Sequence, residues 1–190
     1  MTENIRVDII DFFGNLNQKT VQSLISIVGG AEINKTSEII IRLSSGGGDL
    51  SPTFAAYQFL REVSVPLTIY NFGNVESSAV ILYLAGNTRR AARSSRFMLH
   101  PFFWGFAPGP VYIAGLREAI ATLEIDAKRY ADIFYERTQG ADKSVDVLKC
   151  LEGHPLVIGA EEARSYGITT IDPIEFTIPT GAVRSLIVDT

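Results

Sequence analysis

Short apolar runs alternate with amphipathic stretches along most of the chain. β-branched and aromatic residues dominate the runs at 5–13, 38–43 and 67–72, which we predict to be strands of a buried, mostly parallel sheet. Between these runs, apolar residues recur every three or four positions, the spacing of a helix that packs on one side. The clearest such set is Val21, Leu24, Ile25 and Val28. Strands that alternate with helices predict an α/β fold, and we expect a single domain over 1–190.

The later part of the chain predicts shorter elements. They are strands over 96–100 and 168–171 and helices over 145–151 and 160–166. Ser51 followed by Pro52 predicts the cap and first residue of a helix after the second strand. The stretch at 86–95 is polar and basic, and the tail at 175–190 predicts weak structure.

One long helix is predicted over 112–137. Its apolar residues form a narrow seam with alternating steps of four and three: Leu116, Ile120, Leu123, Ala127, Tyr130 and Phe134. A seam of this width suits packing against another helix. We therefore expect this helix to protrude and to hold subunits together.

Composition excludes several classes of protein. The net charge is −4 and Lys and Arg form no run, so the sequence predicts no basic surface that would bind nucleic acid. It has no basic and apolar leader, and no apolar run reaches the roughly 18 residues of a membrane span. Cys150 is the only cysteine and allows no internal disulfide. These features predict a cytoplasmic protein.

Ser77 lies where a strand passes into a helix. Gly73 breaks the strand at 67–72, and the apolar stretch at 78–85 predicts a buried helix. At a helix N-terminus, unpaired N–H groups can stabilise negative charge on a substrate oxygen, which makes Ser77 a candidate nucleophile. The alternative is that Ser77 or Ser78 only caps the helix.

Two further segments complete a constellation for acyl transfer. The turn at Gly46–Gly48 follows a buried strand, and residues without Cβ let a substrate carbonyl approach the backbone, although a plain turn explains them as well. His100 ends a strand and could serve as a general base or be a partly buried structural histidine. His154 lies in a polar loop, and neither histidine has neighbours at metal-ligand spacing, so no metal or cofactor is expected.

Four motifs in this order resemble the proteolytic subunit of the Clp protease. They are Ser44–Gly48 (Ser-Ser-Gly-Gly-Gly), Gly73–Ala79 (Gly-Asn-Val-Glu-Ser-Ser-Ala), Arg96–Pro101 (Arg-Phe-Met-Leu-His-Pro) and Gly159–Ile168 (Gly-Ala-Glu-Glu-Ala-Arg-Ser-Tyr-Gly-Ile). The resemblance covers the chain from about 7 to 174.

This resemblance implies a crotonase-like ββα spiral and a serine endopeptidase that hydrolyses peptides or unfolded polypeptides inside stacked heptameric or tetradecameric rings. It places the nucleophile on Ser77, the general base on His100, and the oxyanion hole on the backbone N–H groups of Gly48 and Ser78. The helix at 112–137 matches the segment through which the two rings meet. The aromatic loop at 102–106 adjoins the strand that binds substrate, although core or interface packing would explain its aromatic residues equally well.

The third member of the catalytic triad is missing from its expected position. The aspartate of the family falls on Leu151, which cannot orient an imidazole. Glu152 is the nearest substitute, and Asp146 is a more distant one. Losing the orienting carboxylate of a triad costs roughly 10⁴-fold in turnover without removing all activity.

Two other departures concern the nucleophile and the start of the chain. Glu76 and Ser78 flank Ser77 where the family has a small residue and methionine, and we expect Glu76 to be exposed to solvent. The chain starts almost directly at the first strand, without the segment that engages the family's unfoldase. This argues against an unfoldase partner.

Three hypotheses follow for the function. The first is a peptidase that uses Ser77 and His100, and the second is an inactive structural subunit of a ring. The third is a crotonase-type acyl-CoA enzyme, in which an acidic residue such as Glu76 would act beside an oxyanion hole.

Overall fold

The computed structural model describes residues 6–189, which form seven strands and six helices. In chain order these are β1 (Val7–Phe13), α1 (Gln18–Ile33), β2 (Glu38–Ser45), α2 (Leu50–Glu62), β3 (Leu67–Glu76), α3 (Ala79–Leu84), β4 (Thr88–Ala91), β5 (Arg96–Leu99), α4 (Ile113–Arg137), α5 (Val147–Glu152), β6 (Leu156–Gly159), α6 (Ala160–Ser165) and β7 (Val183–Val188). The start of the first predicted strand, at residue 5, lies outside the described residues.

The strands form one sheet in the order β6-β5-β3-β2-β1-β7. β4 pairs with the first part of β3, and β5 pairs with the last part of β3. All pairs are parallel except β5 with β6. The three central strands are the predicted apolar runs, because parallel strands that are covered on both faces need apolar residues at nearly every position. β3 continues through Gly73 to Glu76, beyond the predicted break, and its pairing with β2 shifts register between Leu43 and Ser45.

Helices cover one face of the sheet and form the main core. All six residues of α3 are buried there, as the apolar stretch predicts. Asn17 caps α1 as part of a reciprocal pair of hydrogen bonds with Thr20. α2 begins at Leu50 with Asp49 at its N-cap, so the predicted cap at Ser51 is wrong: the helix begins two residues earlier.

The tail covers the other face and contains a strand. Phe176 and Ala182 pack on a small cluster formed by Val7, Ile9 and Ile40. β7 then pairs in parallel with β1 along its whole length. The sequence of β7 has no strict alternation of apolar and polar residues, which is why the tail at 175–190 predicts only weak structure.

The strand predicted at 168–171 does not form. Ile168 and Thr169 are buried, but the segment makes local contacts to β4 instead of a ladder: Thr170 N–H donates to the Arg89 carbonyl and the Thr170 hydroxyl accepts from Arg89 N–H. β4 itself lies in the polar and basic stretch at 86–95, for which the sequence analysis predicts no strand.

A buried arginine explains how a strand can form there. The Arg89 side chain donates to four main-chain carbonyls, those of Gly86, Arg137, Gly167 and Ile168. These carbonyls lie at the ends of α3, α4 and α6, so one guanidinium connects three helix termini. It supplies the donor for the carbonyls of Arg137, Gly167 and Ile168, and the Gly86 carbonyl also accepts from Arg137. Burial lowers the pKa of Arg89 to about 10, and the group remains charged at neutral pH.

α4 has two different halves. Tyr130, Ala131 and Phe134 in the second half are buried against the core, whereas Ala119 is the only buried residue of the first half. Four large apolar side chains of the first half are exposed: Ile113, Leu116, Ile120 and Ile125. The seam therefore packs within the subunit only near its C-terminal end.

Candidate active site

Ser77 occupies a tight turn between β3 and α3. Its φ angle is 55°, a left-handed conformation that costs a residue with a side chain about 1–3 kcal/mol. Two hydrogen bonds hold it there: Ser77 N–H donates to the Met98 carbonyl at 2.8 Å, and the Tyr130 hydroxyl donates to the Ser77 carbonyl at 3.0 Å. Strand β5 and helix α4 thus fix the candidate nucleophile from two sides.

Tyr130 is a site residue that sequence analysis assigns only to the apolar seam. It is fully buried, and burial raises its pKa, so its hydroxyl keeps the proton that it donates. A tyrosine within an apolar seam carries a polar group that must find a partner when buried. That requirement is the one signal in the sequence for this contact.

The glycine loop packs directly against the Ser77 turn. Gly47 and Gly48 both have positive φ angles, 93° and 146°. A Cβ atom on Gly47 would lie 2.7 Å from the Cβ atom of Ser77, and one on Gly48 would lie 2.2 Å from the Leu16 carbonyl oxygen. Leu16 also exchanges backbone hydrogen bonds with Gly47 and Asp49 on either side. Only glycine allows this approach, and the loop is more than a plain turn.

Ser78 joins the loop to the turn. Its side chain is fully buried, and its hydroxyl donates to the Gly48 carbonyl at 3.1 Å. Within residues 6–189, the N–H groups of Gly48 and Ser78 donate to no protein acceptor. The structure therefore leaves two amide donors unused beside Ser77 and engages the Ser78 hydroxyl elsewhere.

His100 follows β5 and is half-buried. Its Nδ1 atom lies 3.0 Å from the carbonyl oxygen of Pro101. A carbonyl oxygen can only accept, so this contact requires the proton on Nδ1 and leaves the Nε2 lone pair free. A free Nε2 is the form that a general base needs.

We expect the neutral imidazole of His100 to be the Nδ1–H tautomer. Nitrogen-15 chemical shifts of the imidazole, recorded about pH 8 where an ordinary histidine is uncharged, would show a protonated Nδ1 and an unprotonated Nε2. His154 is exposed and serves as an internal reference for a free imidazole. A spectrum with the proton of His100 on Nε2 would contradict the hydrogen bond to Pro101.

Ser77 and His100 line the same cavity, whose volume is about 600 Å³. The glycine loop and the start of α2 form one wall. The opposite wall is formed by apolar side chains of the segment after His100 and of α4: Phe102, Phe103, Trp104 and Leu123. The aromatic loop predicted at 102–106 therefore contributes to the cavity. A cleft of this size with apolar walls and a few polar groups can hold a short peptide segment.

The structure does not bring a side-chain carboxylate of α5 to His100. Leu151 is buried in the core, and Glu152 is exposed at the end of the helix, outside the set of described residues that line the cavity. Asp146 caps α5 by accepting from Lys149 N–H, and this hydrogen bond lowers its pKa. The group that accepts a hydrogen bond from His100 Nδ1 is instead the main-chain carbonyl of Pro101. A main-chain carbonyl cannot be recognised from residue type in the sequence.

Glu76 points away from the cavity. Arg96 donates to its carboxylate twice, at 2.7 and 3.0 Å, and the Glu76 side chain is only 12% exposed. The expectation of a solvent-exposed glutamate is therefore wrong, because its cross-strand partner on β5 covers it. Glu76 lies outside the cavity lining within residues 6–189, and its ion pair with Arg96 reduces the effect of its charge on an anion formed at Ser77.

Residues 6–189 contain no group of three or more His, Cys, Asp or Glu side chains arranged to hold a metal ion. Over the same range, every helix is too short or too polar to cross a membrane.

Comparison with known proteins finds similarity to Clp proteases, both in a family profile and in a curated relative. The sequence profile of the family described as Clp protease matches residues 2–175. The ATP-dependent Clp protease proteolytic subunit 1 of Rhodopirellula baltica is 26% identical over 141 residues, which cover 71% of this chain and 58% of that protein. The chain thus spans less than two thirds of the length of this curated relative.

A solved structure supports the fold independently. A mutant of ClpP1 from Listeria monocytogenes superposes with a TM-score of 0.73 over 88% of this chain and 91% of that one, at 18% sequence identity. The α/β, crotonase-like architecture expected from the four motifs is confirmed by this match.

Proposed function

Because the chain belongs to the Clp protease family, we propose that it is a serine endopeptidase in which Ser77 attacks and His100 is the general base. The observation that carries this proposal is that Gly48, Ser77 and His100 line one cavity, with the Ser78 N–H next to Ser77 in the chain. Within the described residues, the N–H groups of Gly48 and Ser78 donate to no protein acceptor. A nucleophile, a base and two oxyanion donors are the parts that acyl transfer needs.

The proposed reaction runs in two halves. Ser77 Oγ attacks the carbonyl carbon of the scissile peptide bond while His100 Nε2 takes the hydroxyl proton. The oxygen of the tetrahedral intermediate accepts hydrogen bonds from the N–H groups of Gly48 and Ser78. His100 then gives its proton to the leaving amine, and the C–N bond breaks. A water molecule, deprotonated by His100, hydrolyses the acyl-enzyme and restores Ser77.

In this proposal the Pro101 carbonyl takes the place of the missing triad carboxylate. It holds His100 in the tautomer that catalysis needs, whereas much of the roughly 10⁴-fold loss in a triad without its carboxylate comes from the wrong tautomer. A neutral carbonyl stabilises the imidazolium less than a carboxylate does. The proposed enzyme is therefore a slow peptidase, and Glu152 would act only through a rearrangement of α5.

The family assignment also supports assembly into rings that enclose peptides or unfolded polypeptides in the cytoplasm. The exposed apolar side chains on the first half of α4 are consistent with this proposal, because such a row is costly to leave in water. The helix would supply the contact between rings. No unfoldase partner is included in the proposal.

A catalytically inactive ring subunit is the second candidate. The observation that favours it is Leu151, which stands in place of the triad aspartate and is buried in the core, beside an exposed Glu152. The acyl-CoA hypothesis loses its support, because Glu76 is paired with Arg96 and lies outside the cavity lining in the described part of the chain.

Labelling with a fluorophosphonate serine probe, mapped by mass spectrometry, tests the proposal. We expect an adduct on Ser77, its loss in Ser77→Ala, and a decrease of at least roughly 100-fold in rate in His100→Ala, because the proton acceptor is lost. His154→Ala is the matched control, since His154 is exposed and is not one of the described residues that line the cavity. Glu152→Gln should label as fast as the parent protein.

Two results would redirect the assignment. Absence of an adduct in protein that light scattering shows to be assembled would leave the inactive ring subunit as the function. A large loss of labelling in Glu152→Gln would instead return Glu152 to the role of third triad member.

A further inference from the structure

The cavity has an acidic residue on its α4 wall. Thr122, Leu123 and Asp126 of this helix all line the cavity. Asp126 lies one helical turn before Tyr130, whose hydroxyl contacts the Ser77 carbonyl. Because residues four apart share a helix face and one turn rises about 5.4 Å, the Asp126 carboxylate lies within reach of a substrate residue bound next to Ser77.

The charged side chains that line the cavity in the described part of the chain are all acidic. Among the described residues that form the cavity, Asp49 and Asp126 are carboxylates, and none is lysine or arginine. The Asp126 side chain is 14% exposed, so solvent screens it only partly. The lining therefore attracts positive charge into a cavity whose other walls are largely apolar.

Arg129 offsets this charge only in part, because it pairs with one of the two carboxylate oxygens of Asp126. It donates to Oδ1 of Asp126 at 2.9 Å, but its guanidinium stacks over the Phe54 ring at 3.8 Å, is half exposed, and does not line the cavity. Within residues 6–189, Oδ2 of Asp126 accepts no hydrogen bond. A carboxylate can accept about four, so Asp126 has capacity for a second cation.

We propose that Asp126 determines specificity by binding a lysine or arginine side chain of the peptide, at a position next to the scissile bond. The apolar stem of such a side chain would lie along Leu123 and the aromatic residues after His100, and its cationic end would reach Asp126. This inference rests on the proposed function, because it assigns the substrate class of the same site.

Equilibrium binding to the Ser77→Ala protein tests the inference without requiring catalysis. The probes are two fluorescent peptides that differ only in one residue, lysine or norleucine, so they share the stem and differ in charge. We expect the lysine peptide to bind roughly tenfold more tightly, because a charge-assisted hydrogen bond in a partly buried site contributes about this much. Asp126→Asn, added to Ser77→Ala, should abolish that preference and leave binding of the norleucine peptide unchanged.

Two variants separate a direct contact from a structural effect. Asp132→Asn makes the same chemical change on α4, at an exposed residue paired with Lys128, and should keep the lysine preference. Arg129→Gln removes the competing cation and should increase it. Absence of a lysine preference in Ser77→Ala, whether both peptides bind equally or neither binds, would overturn the inference. Fluorophosphonate labelling of Ser77 in the parent protein reports separately on whether the site is a peptidase.

Discussion

Replacing Gly48 by alanine is expected to reduce fluorophosphonate labelling of Ser77 by at least roughly 100-fold, the effect of losing one oxyanion donor. The new Cβ atom would lie 2.2 Å from the Leu16 carbonyl oxygen, a distance that no side-chain rotation can relieve because both atoms are held by the backbone. The loop must move away from Leu16, and the Gly48 N–H moves with it. The phosphonyl oxygen of the bound probe then loses that donor.

The control must separate this clash from backbone strain. Gly153 has a similar φ angle, 152° against 146°, but a Cβ atom there would meet no heavy atom within 4 Å. Gly153→Ala should therefore lose about 1 kcal/mol of stability from its conformation alone and label Ser77 at the rate of the parent protein. If Gly48→Ala also labelled at that rate, the Gly48 N–H would not be an oxyanion donor.

Replacing Arg89 by alanine is expected to lower the free energy of unfolding by roughly 3 kcal/mol or more. Three main-chain carbonyls, those of Arg137, Gly167 and Ile168, lose their donor, whereas the Gly86 carbonyl keeps its hydrogen bond from Arg137. A buried acceptor without a partner costs about 1–3 kcal/mol, although water that enters the vacated volume would recover part of this loss. For a chain of 190 residues, the melting temperature should fall by roughly 6–12 °C.

Thermal unfolding followed by circular dichroism measures the effect. Arg89→Lys should recover only a small part of the loss, because an ammonium has three donors and cannot reproduce the planar geometry of a guanidinium. Arg93→Ala is the control on an exposed arginine four residues away and should change the melting temperature by less than about 2 °C. A small shift in Arg89→Ala would show that the three helix ends are held by other contacts.

Local sequence patterns predict the buried strands and helices well. The three central strands and α1 follow directly from apolar runs and helical spacing, and α3 is buried because every one of its residues is apolar. The resemblance carried by the glycine, serine and histidine motifs implies one site for Gly48, Ser77 and His100, and these three residues line the same cavity. These predictions succeed because a continuous apolar run is typical of a buried element and is rare in exposed ones.

The features that sequence analysis misses depend on distant main-chain groups. β4 contains Arg89 and lies in a polar and basic stretch for which no strand is predicted. Nothing in the local sequence indicates that the Arg89 side chain donates to distant main-chain carbonyls. The hydrogen bond from His100 to the Pro101 carbonyl has no signature, because every residue carries a carbonyl. The β-branched residues at 168–171 predict a strand, but their neighbours in space offer single hydrogen bonds rather than a ladder.

The pairing of β1 with β7 has a consequence for synthesis of the chain. β1 is made before β7, and one of its two edges stays open until Val183–Val188 have been made. An open strand edge can pair with another chain, and contacts of such long sequence separation form slowly. While the chain is being made, this edge of β1 is therefore open to pairing with other chains, and a chaperone that binds extended apolar strands would protect the growing polypeptide there.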